Sequence, residues 1–197
     1  MTMPFFEVPI DFSEIHKELR LFYWQEINNP LFKLSPPDSP GLFVTWRTWD
    51  FVKKNYPLIE QYRDKYNLAH LLIFFEMDNE WWDDAPHSHN TKTGGSILFP
   101  IYKTSKDITT QFYKVVEPDK VNNPDDSVKY GYLEYTGKTE LIGEFHLLDK
   151  PYAIDVNVFH KPVLLTTPDA VNGRVICNWK AKGEVSDLAN MFGVNDV

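Results

Sequence analysis

The sequence predicts a mixed α+β fold that is mainly β: helices in the first third, then an antiparallel sandwich or barrel. Three observations carry this. Apolar residues at helical spacing stop before about residue 70. From residue 71 onward eight short β-rich runs follow one another, each bounded by Gly, Pro, Asn or Asp. No helical spacer separates those runs, as the crossovers of a parallel sheet would require.

The elements follow in order. "DFSEIHKELRLFYWQEINNP" sets Ile15, Leu19 and Phe22 on one helical face, with Asp11 and Glu14 spaced as a capping box. The spacing predicts a helix over roughly 12–27, ended by Asn28-Asn29-Pro30. The turn-rich "LSPPDSPG" precedes a short strand, "LFVTW", and two helical pieces near 49–55 and 57–66. Pro57 divides them because it cannot continue a helical hydrogen-bond ladder. The β-rich runs are "LLIFFEM", "SILFPIY", "TTQFYKVV", "KYGYLEYT", "LIGEFHLL", "YAIDVNVF", "PVLLTT" and "RVICNWK". "VEPDKVNNPDDS" at 116–127 reads as an exposed loop. The chain suits a single domain, 1–197, with a mainly helical part over 1–70, a β core over 71–181 and a C-terminal tail over 182–197.

Composition narrows the function. With 43% hydrophobic and 15% aromatic residues, the 197-residue chain can bury a core. A net charge of −8 lacks the clustered Lys and Arg that release counterions from phosphates, so nucleic acid is not an expected partner. The longest apolar runs, such as "LLIFF", fall far short of a membrane span, and "MTMPFFEVPIDF" lacks the basic region of a signal peptide. The expectation is a soluble cytoplasmic protein of a bacterial or phage-infected cell, of unread oligomeric state. Cys177 is the sole cysteine, so any metal must be held by His, Asp or Glu. In its apolar run Cys177 reads as an inert buried thiol.

Of six histidines, three stand where a β-barrel would expose them together: His87 and His89 in "APHSHN", and His160 after "AIDVNVF". In an extended segment His-x-His points both rings to one face, within reach of one metal, although a polar loop also accommodates two solvated histidines. His160 taken by itself reads as a strand-end residue whose ring bonds a neighbouring carbonyl. His16, His70 and His146 suit structural roles. Arg174 is the only arginine outside the helical third. Its fork either grips a carboxylate ligand, pairs with an internal Asp or stands at the surface. "TKTGG" lacks the phosphate-loop spacing and reads as a flexible turn. "NEWWDDAP" offers an aromatic, acidic lip beside the histidines.

Taken in order, His87-x-His89, the strand ending "FPIY", "TTQFY", His160 and Arg174 resemble the non-haem iron, 2-oxoglutarate-dependent oxygenases, in particular the small aspartyl/asparaginyl β-hydroxylase-like proteins of phages and bacteria. The likeness covers roughly 71–181 and implies a double-stranded β-helix of the jelly-roll, cupin-like kind. It puts His87 and His160 in the metal-ligand positions and His89 where the family carries a carboxylate. It puts Arg174 at the distal carboxylate of 2-oxoglutarate, with Tyr102 or Lys103 assisting. It implies Fe(II) and 2-oxoglutarate, and hydroxylation of an unidentified peptide or small molecule. The family normally uses two histidines and one carboxylate. His89 therefore keeps two alternatives open: a cupin-like three-His metal protein that does not use 2-oxoglutarate, or a degenerate barrel serving as a binding or virion-associated protein.

Overall fold

The computed structural model describes residues 3–33, 41–76, 85–89, 91–102, 106–117, 121–122, 133–165 and 174–194. Among the described residues the α-helices are α1 (Ser13–Glu26), α2 (Trp49–Asn55), α3 (Pro57–Lys65) and α4 (Val185–Phe192). The strands are β1 (Phe5–Glu7), β2 (Gly41–Val44), β3 (Leu68–Glu76), β4 (His87–Ser88), β5 (Gly95–Tyr102) and β6 (Ile108–Val115). They continue with β7 (Val121–Asn122), β8 (Leu133–Tyr135), β9 (Thr139–Phe145), β10 (Tyr152–Asp155), β11 (Phe159–Leu164) and β12 (Arg174–Ala181). Strand outweighs helix among the described residues, and every strand pairing is antiparallel, so the mainly-β, mixed α+β expectation holds.

α1 buries Ile15, Leu19, Phe22 and Tyr23, the stripe that the spacing predicts. Its start differs from the expected capping box. The helix begins at Ser13 with Phe12 at the N-cap, so Asp11 lies outside and instead accepts the Ser13 N–H at 2.8 Å. The break between α2 and α3 falls at Tyr56, immediately before Pro57, which occupies the first turn of α3 where no N–H is needed. α1 and α3 are stapled by polar contacts. The Ile59 N–H donates to Glu18 at 2.7 Å, and the Tyr56 hydroxyl donates to Glu26 at 2.6 Å.

Among the described residues the strands form two six-stranded sheets. The larger runs β1-β10-β5-β12-β3-β2 and the smaller β7-β8-β4-β11-β6-β9. Side-chain alternation gives each face of the larger sheet its own task. Ile97, Phe99 and Ile101 of β5, with Val175, Cys177, Trp179 and Ala181 of β12, pack against Ile15, Leu19, Val52 and Ile59 of the helices. The opposite residues, Leu98, Ile154 and Ile176, meet Phe112 and Phe145 of the smaller sheet. Tyr152 stacks on Phe145 with centroids 4.2 Å apart, and Phe5 on Phe112 at 5.1 Å, so aromatic pairs close the gap between the sheets. Each buried Leu, Ile or Phe contributes roughly 1.5–3 kcal/mol to this arrangement.

The structure adds to three of these readings. Within residues 1–70, read as mainly helical with one short strand, β2 falls at the expected "LFVTW" and β1 is a further strand too short to show a period in the sequence; the two form the edges of the larger sheet. The tail over 182–197 contains α4, which buries Leu188 and Ala189 and ends at Gly193 with φ of 68°. Its capping box, formed by Glu184 and Asp187, is a sequence signal that an eight-residue helix leaves easy to pass over. "TKTGG" is also tied down rather than flexible. The Thr91 N–H donates to Asn157 Oδ1 at 2.8 Å, its hydroxyl to the Thr93 carbonyl at 2.6 Å, and the Gly94 N–H to Glu184 at 3.1 Å. No helix among the described residues is long and apolar enough to cross a membrane.

Candidate metal centre

β4 is only two residues long, and its placement is set by its neighbours. The Tyr135 N–H donates to the Pro86 carbonyl and the His89 N–H to the Val156 carbonyl, both at 2.9 Å. His87 is thereby the direct register partner of His160 on β11. His89, two residues on, turns to the same side. The rings of His87 and His160 lie 4.7 Å apart, and His89 is 5.4 Å from each, nearly parallel to His160 at 4°. One nitrogen from each ring falls within 4.8 Å of the other two. Nitrogens bound to one ion at about 2.1 Å stand roughly 3–3.5 Å apart, a distance that small ring rotations reach.

His160 is the best anchored of the three. It is 7% exposed, stacks on Phe112 at 5.6 Å, and its Nδ1 lies 2.8 Å from the Val158 carbonyl. A carbonyl only accepts, so Nδ1 carries the proton and Nε2 keeps its lone pair. Orientation of a metal-binding imidazole by a carbonyl behind it works in this way. The two sequence readings of His160, carbonyl-bonded ring and ligand, are thus compatible in one side chain.

Burial lowers the basicity of all three imidazoles. For His87 and His89 it is the main cause of a pKa well below the usual 6.5, with the charges of His160 and Lys180 adding to it. For His160 burial pulls the value down to about 4, the Val158 bond opposes, and Lys180 adds a smaller push downward. The rings are therefore neutral at pH 7, the form that binds metal. Three neutral imidazoles facing one point fit a divalent first-row transition ion. Among the described residues no carboxylate joins this group, and His16, His70 and His146 lie outside it.

Arg174, 2% exposed, starts β12 on the inward face and donates from Nη2 to Thr110 Oγ1 on β6 at 3.1 Å. Thr110 pairs with Pro162, two residues beyond His160 on β11, so the guanidinium lies one pleat along from the histidines. Tyr102 is placed at a rim, 37% exposed, its ring 5.6 Å from that of Trp24. Lys103 and the Trp81-Trp82 lip lie outside the described residues. Cys177 is buried in the helix-facing core, and burial pushes its thiol pKa well up, consistent with an inert side chain.

Sequence reading missed Lys180. On β12 the even positions Arg174, Ile176, Asn178 and Lys180 share the inward face, and three of the four are polar in an otherwise apolar strand. That period of two was the available signal. Burial pulls the Lys180 ammonium down to about 8, with the Asp155 carboxylate acting in opposition.

Comparison with family models and with curated proteins gives no match for this chain.

Proposed function

We propose that this protein is a non-haem Fe(II), 2-oxoglutarate-dependent oxygenase of the aspartyl/asparaginyl β-hydroxylase-like kind, built on a double-stranded β-helix, hydroxylating a small molecule or peptide. The observation that carries this reading is the meeting of the half-buried His87 and His89 with the buried His160 in one group, with the buried Arg174 on the facing sheet close by. His87, His89 and His160 would hold the iron. When bound, it supplies oxygen activation coupled to the oxidative decarboxylation of 2-oxoglutarate.

The remaining roles fall to the chain. Arg174 presents a rigid fork of donors for the distal carboxylate of the co-substrate, and its bond to Thr110 holds that fork in place. Val158 fixes the His160 tautomer. Leu98, Phe112, Ile154 and Ile176 exclude water from the space between the sheets.

A second reading has one specific support. No carboxylate completes the histidine group among the described residues, as in a cupin-like three-His protein that does not use 2-oxoglutarate. One experiment separates the two. Protein loaded with Fe(II) under nitrogen is titrated with 2-oxoglutarate, followed by the visible metal-to-ligand absorption, and then assayed for succinate in air. The oxygenase reading expects a band that Arg174→Met weakens, and succinate release. Metal binding with neither band nor succinate favours the three-His alternative.

A further inference from the structure

Three inward-facing polar groups of the larger sheet are left over once the histidines and Arg174 have been assigned. Lys180 and Ser96 are register partners on β12 and β5, and Asn178 is the next inward residue of β12. Side chains directly opposite in an antiparallel pair have Cβ atoms about 5 Å apart, so the three form one cluster. Ser96 is 0% and Asn178 7% exposed. Ser96 Oγ, Asn178 Oδ1 and Lys180 Nζ are each buried without a hydrogen-bond partner among the described residues.

Buried polar groups in folded proteins are almost always satisfied, and a buried ammonium most of all needs a counterion. Asp155 does not supply one directly. It lies beyond ion-pair distance of Lys180 among the contacts formed, and its Oδ1 already accepts the Asn157 N–H at 2.9 Å. Lys180 is also near enough to the histidines for its charge to act on all three rings.

We infer that Lys180, Ser96 and Asn178 form a subsite for the carboxylate end of the substrate, beside the histidine group and separate from Arg174. The ammonium and the Ser96 hydroxyl donate to the carboxylate, and Asn178 Oδ1 accepts from a hydroxyl or N–H adjacent to it. Arg174 and Lys180 are six residues apart on one strand, about 20 Å along it. A five-carbon dicarboxylate held on Arg174 does not span that length, so the second cation is left to a different molecule. The substrate class is thus a small acid with a hydrogen-bond donor next to its carboxylate. The assignment to substrate rests on the oxygenase reading, whereas the binding of an anion here does not.

The test uses glycolate, a carboxylate with an adjacent hydroxyl, and glycolamide as its uncharged control, titrated into metal-free full-length protein and followed by amide chemical shifts. Saturable shifts are expected at Ser96, Asn178 and Lys180 with glycolate and not with glycolamide. Affinity should fall at least tenfold in Lys180→Met, survive in Lys180→Arg and fall again in Ser96→Ala, which decides the matter should Lys180→Met not fold. Equal response to both probes, or unchanged glycolate affinity in the folded variants, overturns the subsite. In Fe(II)-loaded Lys180→Met, 2-oxoglutarate should still give its absorption. Its loss would assign the lysine to the co-substrate and overturn the proposal. Glycolate binding in a protein that takes up no metal would leave the subsite standing while removing the oxygenase reading.

Discussion

His87 and His160 are direct register partners across β4 and β11, with ring centroids 4.7 Å apart, although 72 residues of chain separate them by number. The pairing makes the site a property of the sheet rather than of a loop. Replacing either residue with Ala should leave the fold cooperative while removing metal. Loss of a direct ligand should exceed the roughly 10–100-fold effect typical of removing an outer partner. Metal titration of the folded variants measures it.

Phe112 lies beneath His160 at 5.6 Å and also stacks on Phe5. Phe112→Ala should destabilise the protein by about 3–5 kcal/mol, because it empties the space between the sheets. Phe112→Leu keeps most of the volume. It should cost less in denaturant unfolding while still weakening metal binding through a loosened His160.

The histidines make stability depend on pH in a definite direction. Their folded pKa values are depressed, His160 to about 4, whereas the unfolded chain takes up protons near 6.5. Below 6.5 the unfolded state therefore binds more protons than the folded one, and metal-free stability should fall as pH drops from about 6.5 toward 4. Above about pH 7 these groups should contribute no slope. Denaturant midpoints across that range check the sign, and His160→Phe should flatten the curve.

Gly94 has no room for a side chain. A Cβ there would lie 2.1 Å from Asp155 Oδ1. Gly94→Ala should destabilise by about 1–3 kcal/mol through overpacking and disturb the turn that leads into β5. Thermal unfolding reads this.

Lys180→Met removes a buried ammonium that has no hydrogen-bond partner among the described residues. Replacement of a buried charge by an apolar side chain of similar size is often stabilising, so the variant should gain about 1 kcal/mol or more in denaturant unfolding.

How much of this was legible in the sequence depends on the length of each pattern. α1, α2 and α3 follow apolar spacing and Pro57 closely, and the long strands β3, β5, β6, β9 and β12 overlap β-rich runs, whereas "YAIDVNVF" divides between β10 and the start of β11, and β11 crosses His160 and Lys161 into "PVLLTT". The elements that escaped were short: β1, β2's role at a sheet edge, β4, β7 and α4. Two or three residues carry no period, and their strand character comes from pairing across the fold. The histidines were singled out by order along the chain. Their convergence needed the register, and the Val158 carbonyl behind His160 is a backbone group that no residue pattern records. Lys180 was visible as a polar residue in an apolar strand, but its inward direction becomes evident only beside Ile176 and Asn178.

The most direct test of the histidine centre is a cobalt(II) titration of the metal-free protein, followed by visible absorption, on the wild type and on His87→Ala, His89→Ala and His160→Ala. One ion per chain in the wild type, lost or greatly weakened in each variant that remains folded, is the predicted result. No uptake by the wild type, or uptake unchanged in all three variants, would contradict it.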